Sequence, residues 1–261
     1  MSEKEREISL KLSDLHLRLG RFSILNGVEL EVPVGQTLGV IGPNGSGKTT
    51  MFNCISGFHF PTSGSVLFQG KDVSRIRAYQ RARLGMGRLF QNFGIFREMT
   101  VEENMLTALE SRKSLFKTFF PWSSATRAHR EEVVSYLDQI GLLEKAKEKA
   151  GNLSGGQMRL LEIIRSAAFG AELFLLDEPT AGVSPRMKDD VTRLILSLRN
   201  QGKTIMIIEH DINFIQRFCD RIVVLDMGKI VMDGTPLEVR SDPKLQDIYF
   251  GTMEEANKGE S

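Results

Sequence analysis

A chain of 261 residues is ample to bury a core and suits one large α/β domain, or a core with a smaller inserted subdomain. Its 34 basic and 33 acidic residues leave a formal charge of +1, so no global basic field points to a nucleic-acid partner. No apolar stretch reaches the roughly 18 residues that span a bilayer, and the N-terminal MSEKEREISL lacks the apolar centre of a signal peptide, so a cytoplasmic protein is expected.

In chain order, Val28–Val32 (VELEV) and Ser65–Phe68 (SVLF) alternate and predict half-exposed strands of an antiparallel section. Between them Thr37–Ile41 (TLGVI) is a short apolar run bounded by turn residues, as expected of a strand buried on both faces of a parallel sheet. It leads into GPNGSGKTT at Gly42–Thr50, which matches G-x-x-x-x-G-K-[ST]. Thr49–Ser56 reads as a helix closed by Gly57. Strand, glycine loop and helix in that order put the loop at a helix N-terminus, where unpaired N–H groups and the macrodipole favour a phosphate. The loop residues Gly42, Pro43, Asn44, Gly45, Ser46 and Gly47 are expected to wrap a polyphosphate with backbone N–H groups, Gly45 and Gly47 allowing close approach. Lys48 is expected to neutralise the β and γ phosphates and the Thr49 hydroxyl to ligate Mg2+, with Thr50 as packing or a weaker phosphate contact.

Gln91 follows Arg88–Phe90 (RLF) at the junction with a helical middle part, 92–168, and its amide oxygen can join the Mg2+ shell or hold a water. In that part Thr100 and Glu103 form a capping box, and VVSYLDQIGLL at Val133–Leu143 has apolar residues at helical spacing before Gly141 closes it. LSGGQ at Leu153–Gln157 precedes a helix expected over Gln157–Phe169; Ser154, with the amides of Gly155 and Gly156 and with Gln157, makes a second anion-binding helix start. Two phosphate cradles and one triphosphate suggest that two chains associate head to tail, each loop closing over nucleotide held by the other.

Leu173–Leu176, Thr204–Ile208 and Arg221–Leu225 are short β-rich runs separated by helical stretches at Arg186–Asn200 and Ile212–Cys219, which predicts parallel strands with crossover helices. A hairpin at Met227 and Gly228 returns through Lys229–Met232. The first run ends at Asp177 and Glu178 and must stop at Pro179, so two carboxylates sit at the carboxyl edge of a buried strand. Asp177 is placed to hold Mg2+ directly or through water, and Glu178 to orient or deprotonate an attacking water. His210, after Glu209 at another strand end, could bond a γ phosphate or lock the water. Cys54 and Cys219 stand apart without metal-ligand spacing and read as reduced thiols. The tail 251–261 is polar and expected to fray.

With these motifs in this order, the chain resembles the ATP-binding subunit of an ABC transporter from about residue 8 to residue 250. The resemblance makes Gly42–Thr49 the phosphate loop, Gln91 the Q-loop residue, Leu153–Gln157 the signature, Asp177 the magnesium aspartate, Glu178 the catalytic glutamate and His210 the switch histidine. It implies a P-loop NTPase (RecA-like) α/β core with an antiparallel β subdomain, formed by 1–91 and 169–250, and an inserted α-helical subdomain, 92–168. NCISGFHFPTSGSVLFQGKDV at Asn53–Val73, DEPTAGVSP at Asp177–Pro185, IEHD at Ile208–Asp211 and GTPLEVRSDPKLQDIYFG at Gly234–Gly251 resemble the longer ATPase subunit of branched-chain amino-acid uptake systems. That resemblance implies ATP and Mg2+, two transmembrane permease subunits, a second ATPase subunit or a second copy of this chain, and an extracytoplasmic binding protein acting through the permease. It implies a peripheral place on the cytoplasmic face of the inner or plasma membrane. Urea or another small amide as cargo, and a soluble ATP-driven switch of the same fold, are the alternatives. Where the family usually stacks an aromatic residue on adenine, this sequence has Leu19, with Phe22 shortly after, and where many relatives carry Asp in the loop after the glutamate it has Ser184. The aromatic SLFKTFFPWSS at Ser114–Ser124 is either local packing or a groove wall that receives a cytoplasmic permease helix.

Overall fold

The computed structural model describes residues 7–90, 94–112, 124–245 and 248. Gln91, the polar tail and nearly all of the aromatic segment Ser114–Ser124 lie outside these residues.

Two sheets organise the chain. The smaller is antiparallel with order β2-β1-β4-β5, where β1 is Ile8–Leu19, β2 Phe22–Pro33, β4 Ser63–Phe68 and β5 Lys71–Asp72. The two strands expected here, within β2 and β4, do not pair with each other, because β1 lies between them. Alternation alone misses β1 for a physical reason. Leu10 and Leu12 are buried and so are Leu15 and Leu17, so the apolar phase slips by one residue. The register shifts at the same place and Asp14 has φ 45, so a bulge absorbs the extra residue and returns the leucines to the core.

The larger sheet has six strands in the order β10-β9-β3-β8-β7-β6. They are β3 (Thr37–Ile41), β6 (Met86–Leu89), β7 (Leu173–Asp177), β8 (Thr204–Ile208), β9 (Arg221–Asp226) and β10 (Lys229–Gly234). All neighbours are parallel except β9 and β10. Every residue of β3, β7 and β8 is buried. Strand period two sends Leu38, Val40, Leu173 and Leu175 into a core shared with the antiparallel sheet, and Ile41, Phe174 and Leu176 into a core shared with the helices. Both faces are covered, hence the uninterrupted apolar runs.

Helix α1 (Lys48–Ser56) follows β3 and ends at Gly57 in the left-handed conformation. The short α2 (Ala78–Arg83) precedes β6. Between the paired neighbours β6 and β7 the chain inserts α3 (Val101–Arg112), α4 (Ser124–Gln139) and α5 (Gly155–Phe169). These helices share one continuous apolar cluster with the sheet face, so the insertion does not carry a separate core. The Thr100 N–H donates to Glu103 at 2.7 Å and the Glu103 N–H to Thr100 Oγ1 at 3.1 Å, which starts α3 at the expected capping box. Several boundaries differ from expectation. Helix α5 begins at Gly155 rather than Gln157 because Ser154 caps it; α4 stops at Gln139, before Gly141; and α7 covers only Ile212–Gln216. Helices α6 (Pro185–Asn200) and α8 (Pro236–Ser241) complete the order. Cys54 and Cys219 are buried and free.

Candidate active site

Strands β3, β7 and β8 are adjacent and parallel, so the loops at their carboxyl ends collect at one edge of the sheet. The β3 end carries the glycine loop. Gly42 has φ 148, and a Cβ there would stand 2.0 Å from the Leu225 carbonyl oxygen, so only glycine fits where the loop leaves the strand. The Gly228 N–H donates to the Ser46 carbonyl at 2.9 Å and the Asn26 N–H to the Gly228 carbonyl at 2.9 Å, which anchors the loop to the β9–β10 turn and to β2. Lys48 is buried at the start of α1, and its Nζ donates to the Gly42 and Pro43 carbonyls at 2.8 Å each. Burial pulls its ammonium pKa down, while the charges of Glu178 and Asp177 hold it up. Asn44, Gly45 and Thr49 are exposed, Thr50 is half-buried, and Ser46 Oγ is buried without a hydrogen-bond partner.

At the β7 end Asp177 is 1% exposed. Its Oδ2 accepts from Arg88 Nη2 at 2.8 Å, and its Oδ1 is buried and unpartnered. Thr49, Asn53, Arg88 and Asp177 line a common cavity of about 550 Å3. A hydroxyl and a carboxylate oxygen facing one cavity suit Mg2+, which takes few protein oxygens and completes its shell with phosphate and water. Arg88 was overlooked by sequence reasoning; it needs β6 beside β7 to reach Asp177. Its guanidinium lies 4.8 Å from the Phe52 ring centroid, and burial pulls its pKa down against the Asp177 charge.

Glu178 follows with φ 47, a left-handed backbone at the point where Pro179 ends the strand. Its Oε1 lies 2.8 Å from Nε2 of His210, which comes from the end of β8. Lys48, Asp177, Glu178 and His210 thus converge on one edge.

The flanks of Gln91 are tied to α5. Arg159 Nη1 donates to the Phe90 carbonyl at 2.7 Å, the Gly94 N–H donates to Glu162 at 3.0 Å, and Arg165 bonds the Gly94 carbonyl. Arg159 and Glu162 pair at 2.9 Å in the interior; burial pushes the Glu162 carboxyl up and the Arg159 charge opposes it. Arg159, Glu162 and Arg165 were not singled out from the sequence; their spacing of i, i+3 and i+6 along one helix was the available signal, and it does not name their target.

The signature opens the same helix. The Gln157 N–H donates to Ser154 Oγ at 3.3 Å and the Ser154 N–H to Gln157 Oε1 at 3.0 Å. Ser154 is exposed and Gly155 half-buried, whereas Gly156 packs so closely on α6 that a Cβ would stand 2.6 Å from Met187 Cβ. Gln157 and Met187 line a separate cavity from the one that holds Thr49 and Asp177. Leu19 and Phe22 face each other across the β1–β2 turn, 43% and 66% exposed.

A glycine loop at the head of α1, with a carboxylate pair on the adjoining strand, defines a P-loop nucleotide hydrolase. The profile of the family described as "ABC transporter" matches residues 25–181. BraF of Pseudomonas aeruginosa, a high-affinity branched-chain amino acid transport ATP-binding protein, is 38% identical over 249 residues, 93% of this chain and 97% of that protein. LivG of Escherichia coli K12, described in the same words, is 39% identical over 248 residues with the same coverage. Among solved structures, an ATP-binding cassette of an ABC transporter in its ADP conformation matches with a TM-score of 0.82 at 33% identity, covering 94% of this chain and 99% of that one. The chain belongs to the ABC transporter family, and it is a nucleotide-binding ATPase.

Proposed function

We propose that the chain is the ATP-hydrolysing subunit of an importer of branched-chain amino acids, attached peripherally to the cytoplasmic face of the membrane. The observation that carries the reading is the convergence of Lys48, Asp177, Glu178 and His210 at one sheet edge, in a chain similar along 93% of its length to BraF and LivG. No helix among the described residues is long and apolar enough to cross a membrane, which supports a separate permease as the transport path. Residues 1–91 and 169–250 act as the nucleotide core and 92–168 as the signature-bearing part.

The loop Gly42–Thr49 binds the triphosphate. Lys48 exchanges its bonds to the Gly42 and Pro43 carbonyls for the β and γ phosphates. Thr49 and Asp177, with Gln91 as a further oxygen donor, would hold Mg2+, which would supply charge neutralisation on the phosphates. Glu178 takes a proton from the attacking water, and His210 holds Glu178 until it turns to the γ phosphate. Leu19 or Phe22 covers the adenine. The signature, with Ser154 exposed and apart from the phosphate cavity of its own chain, closes over nucleotide on a partner ATPase subunit or a second copy in a head-to-tail dimer. A groove of about 860 Å3 between α2 and α3, with Phe58, Phe60, Tyr79, Phe96 and Met99 in its walls, receives a cytoplasmic helix of the permease.

The test is to tag the chain, extract membranes in mild detergent and identify the co-purifying proteins. Two multi-span permeases and a second ATPase are expected, with leucine uptake lost on deletion. Recovery with ribosomes or DNA and no membrane partner would refute the reading.

A further inference from the structure

The IEHD segment contains an acid that the proposed reaction does not use. Glu209 is 5% exposed and sits between Ile208, the last residue of β8, and His210. Strands β7 and β8 are in register with Asp177 opposite Ile208, so the residues beyond these ends, Glu178 on one side and Glu209 and His210 on the other, leave the sheet together. The Glu178 N–H still donates to the Ile208 carbonyl at 2.9 Å. Two residues past Glu178, buried Thr180 donates twice to Glu209 Oε1, from its backbone N–H at 3.0 Å and from Oγ1 at 2.7 Å. The Glu209 carboxylate also receives the backbone N–H of His210.

We propose that Glu209 is a positioning residue for hydrolysis: its carboxylate locks the turn that carries Glu178 to the strand end that carries His210. The links form a closed circuit. Glu178 runs through Pro179 to Thr180, Thr180 bonds Glu209, Glu209 is followed by His210, and His210 Nε2 returns to Glu178 Oε1 at 2.8 Å. Such a circuit answers a local need, because Glu178 holds φ 47, a backbone that non-glycine residues keep only when their surroundings fix it. The acid is also retained against opposition. Burial and the charge of Glu178 both push the Glu209 carboxyl up, and the Thr180 and His210 donors pull it back. A residue that merely filled space would need no carboxylate here.

This inference rests on Glu178 and His210 having the roles proposed above. The phosphate loop hangs from β3, outside the circuit, so loosening the circuit leaves ATP binding in place and slows the chemical step. The experiment compares Thr180→Val, Thr180→Ser, Glu209→Gln and Glu178→Gln in the assembled transporter, with steady-state ATPase and titration of a fluorescent ATP analogue. Thr180→Val, nearly the same shape and lacking only the hydroxyl, is expected to lower kcat about ten- to a hundredfold at unchanged KM and analogue affinity. Thr180→Ser restores kcat. Parental kcat in Thr180→Val overturns the inference, as does a rise in KM or a failure of Thr180→Ser to restore. If Glu209→Gln does not fold, the threonine pair decides. Near-parental turnover in Glu178→Gln removes the underlying role of Glu178, whereas loss in Glu178→Gln with parental Thr180→Val overturns the Glu209 assignment alone.

Discussion

Replacing Arg88 by Met tests whether Asp177 depends on an internal counter-ion. The pair lies in the interior, with side chains 6% and 1% exposed and a single bond of 2.8 Å between them. Met keeps an unbranched side chain but removes the charge that lies over the Phe52 ring, leaving both Asp177 oxygens buried without a partner. Breaking a buried pair from one side costs about 3–5 kcal/mol, against about 5–15 kcal/mol for the stability of a whole domain. Urea unfolding in EDTA should show that loss. Adding Mg2+ with a non-hydrolysable ATP analogue should recover more stability in Arg88→Met than in the parent, because a second cation then meets Asp177. Arg88→Met combined with Asp177→Asn should recover most of the loss without metal, as the buried charge is gone from both sides. A loss below about 1 kcal/mol in Arg88→Met, the range of an exposed ion pair, would refute the desolvation argument.

Glu178→Gln keeps the shape at His210 and removes the base, so ATP binding measured by titration persists while hydrolysis falls at least about a hundredfold. Gly156→Ala drives a methyl onto Met187 and should lower stability by about 1–3 kcal/mol in thermal unfolding; Met187→Ala in that background should return part of it, and full parental stability of Gly156→Ala alone would remove the contact from consideration. Burial pushes the Cys54 thiol from 9.0 up to about 11, so across that interval the folded chain keeps a proton that the unfolded chain has lost. Stability should therefore be steady below pH 9 and decline as pH rises from 9.0 towards about 11; Cys54→Ala should flatten this part of the curve unless Cys219, whose thiol burial also pushes up, carries it.

The phosphate loop was readable from residues in a row. TLGVI, the glycine turn and the helix after it are contiguous, and each owes its shape to local causes: apolar run, positive φ, helix start. The capping box at Thr100 is legible on the same grounds, whereas the one by which Ser154 starts α5 two residues earlier than expected was not read. Strand β1 escaped because a bulge at Asp14 breaks the alternation by which half-buried strands are recognised. The order of the large sheet escaped too, since buried runs such as LFLL and TIMII say that a strand is covered on both faces but not which strand lies beside it. That order is what brings Arg88 to Asp177 across 89 residues, His210 to Glu178 across 32 and Glu209 to Thr180 across 29. Residue types and their spacing are enough to specify a helix start or an extended run, because those depend on neighbours along the chain. Which carboxylate meets which cation depends on the packing of two apolar cores against the sheet, and only the folded chain decides it.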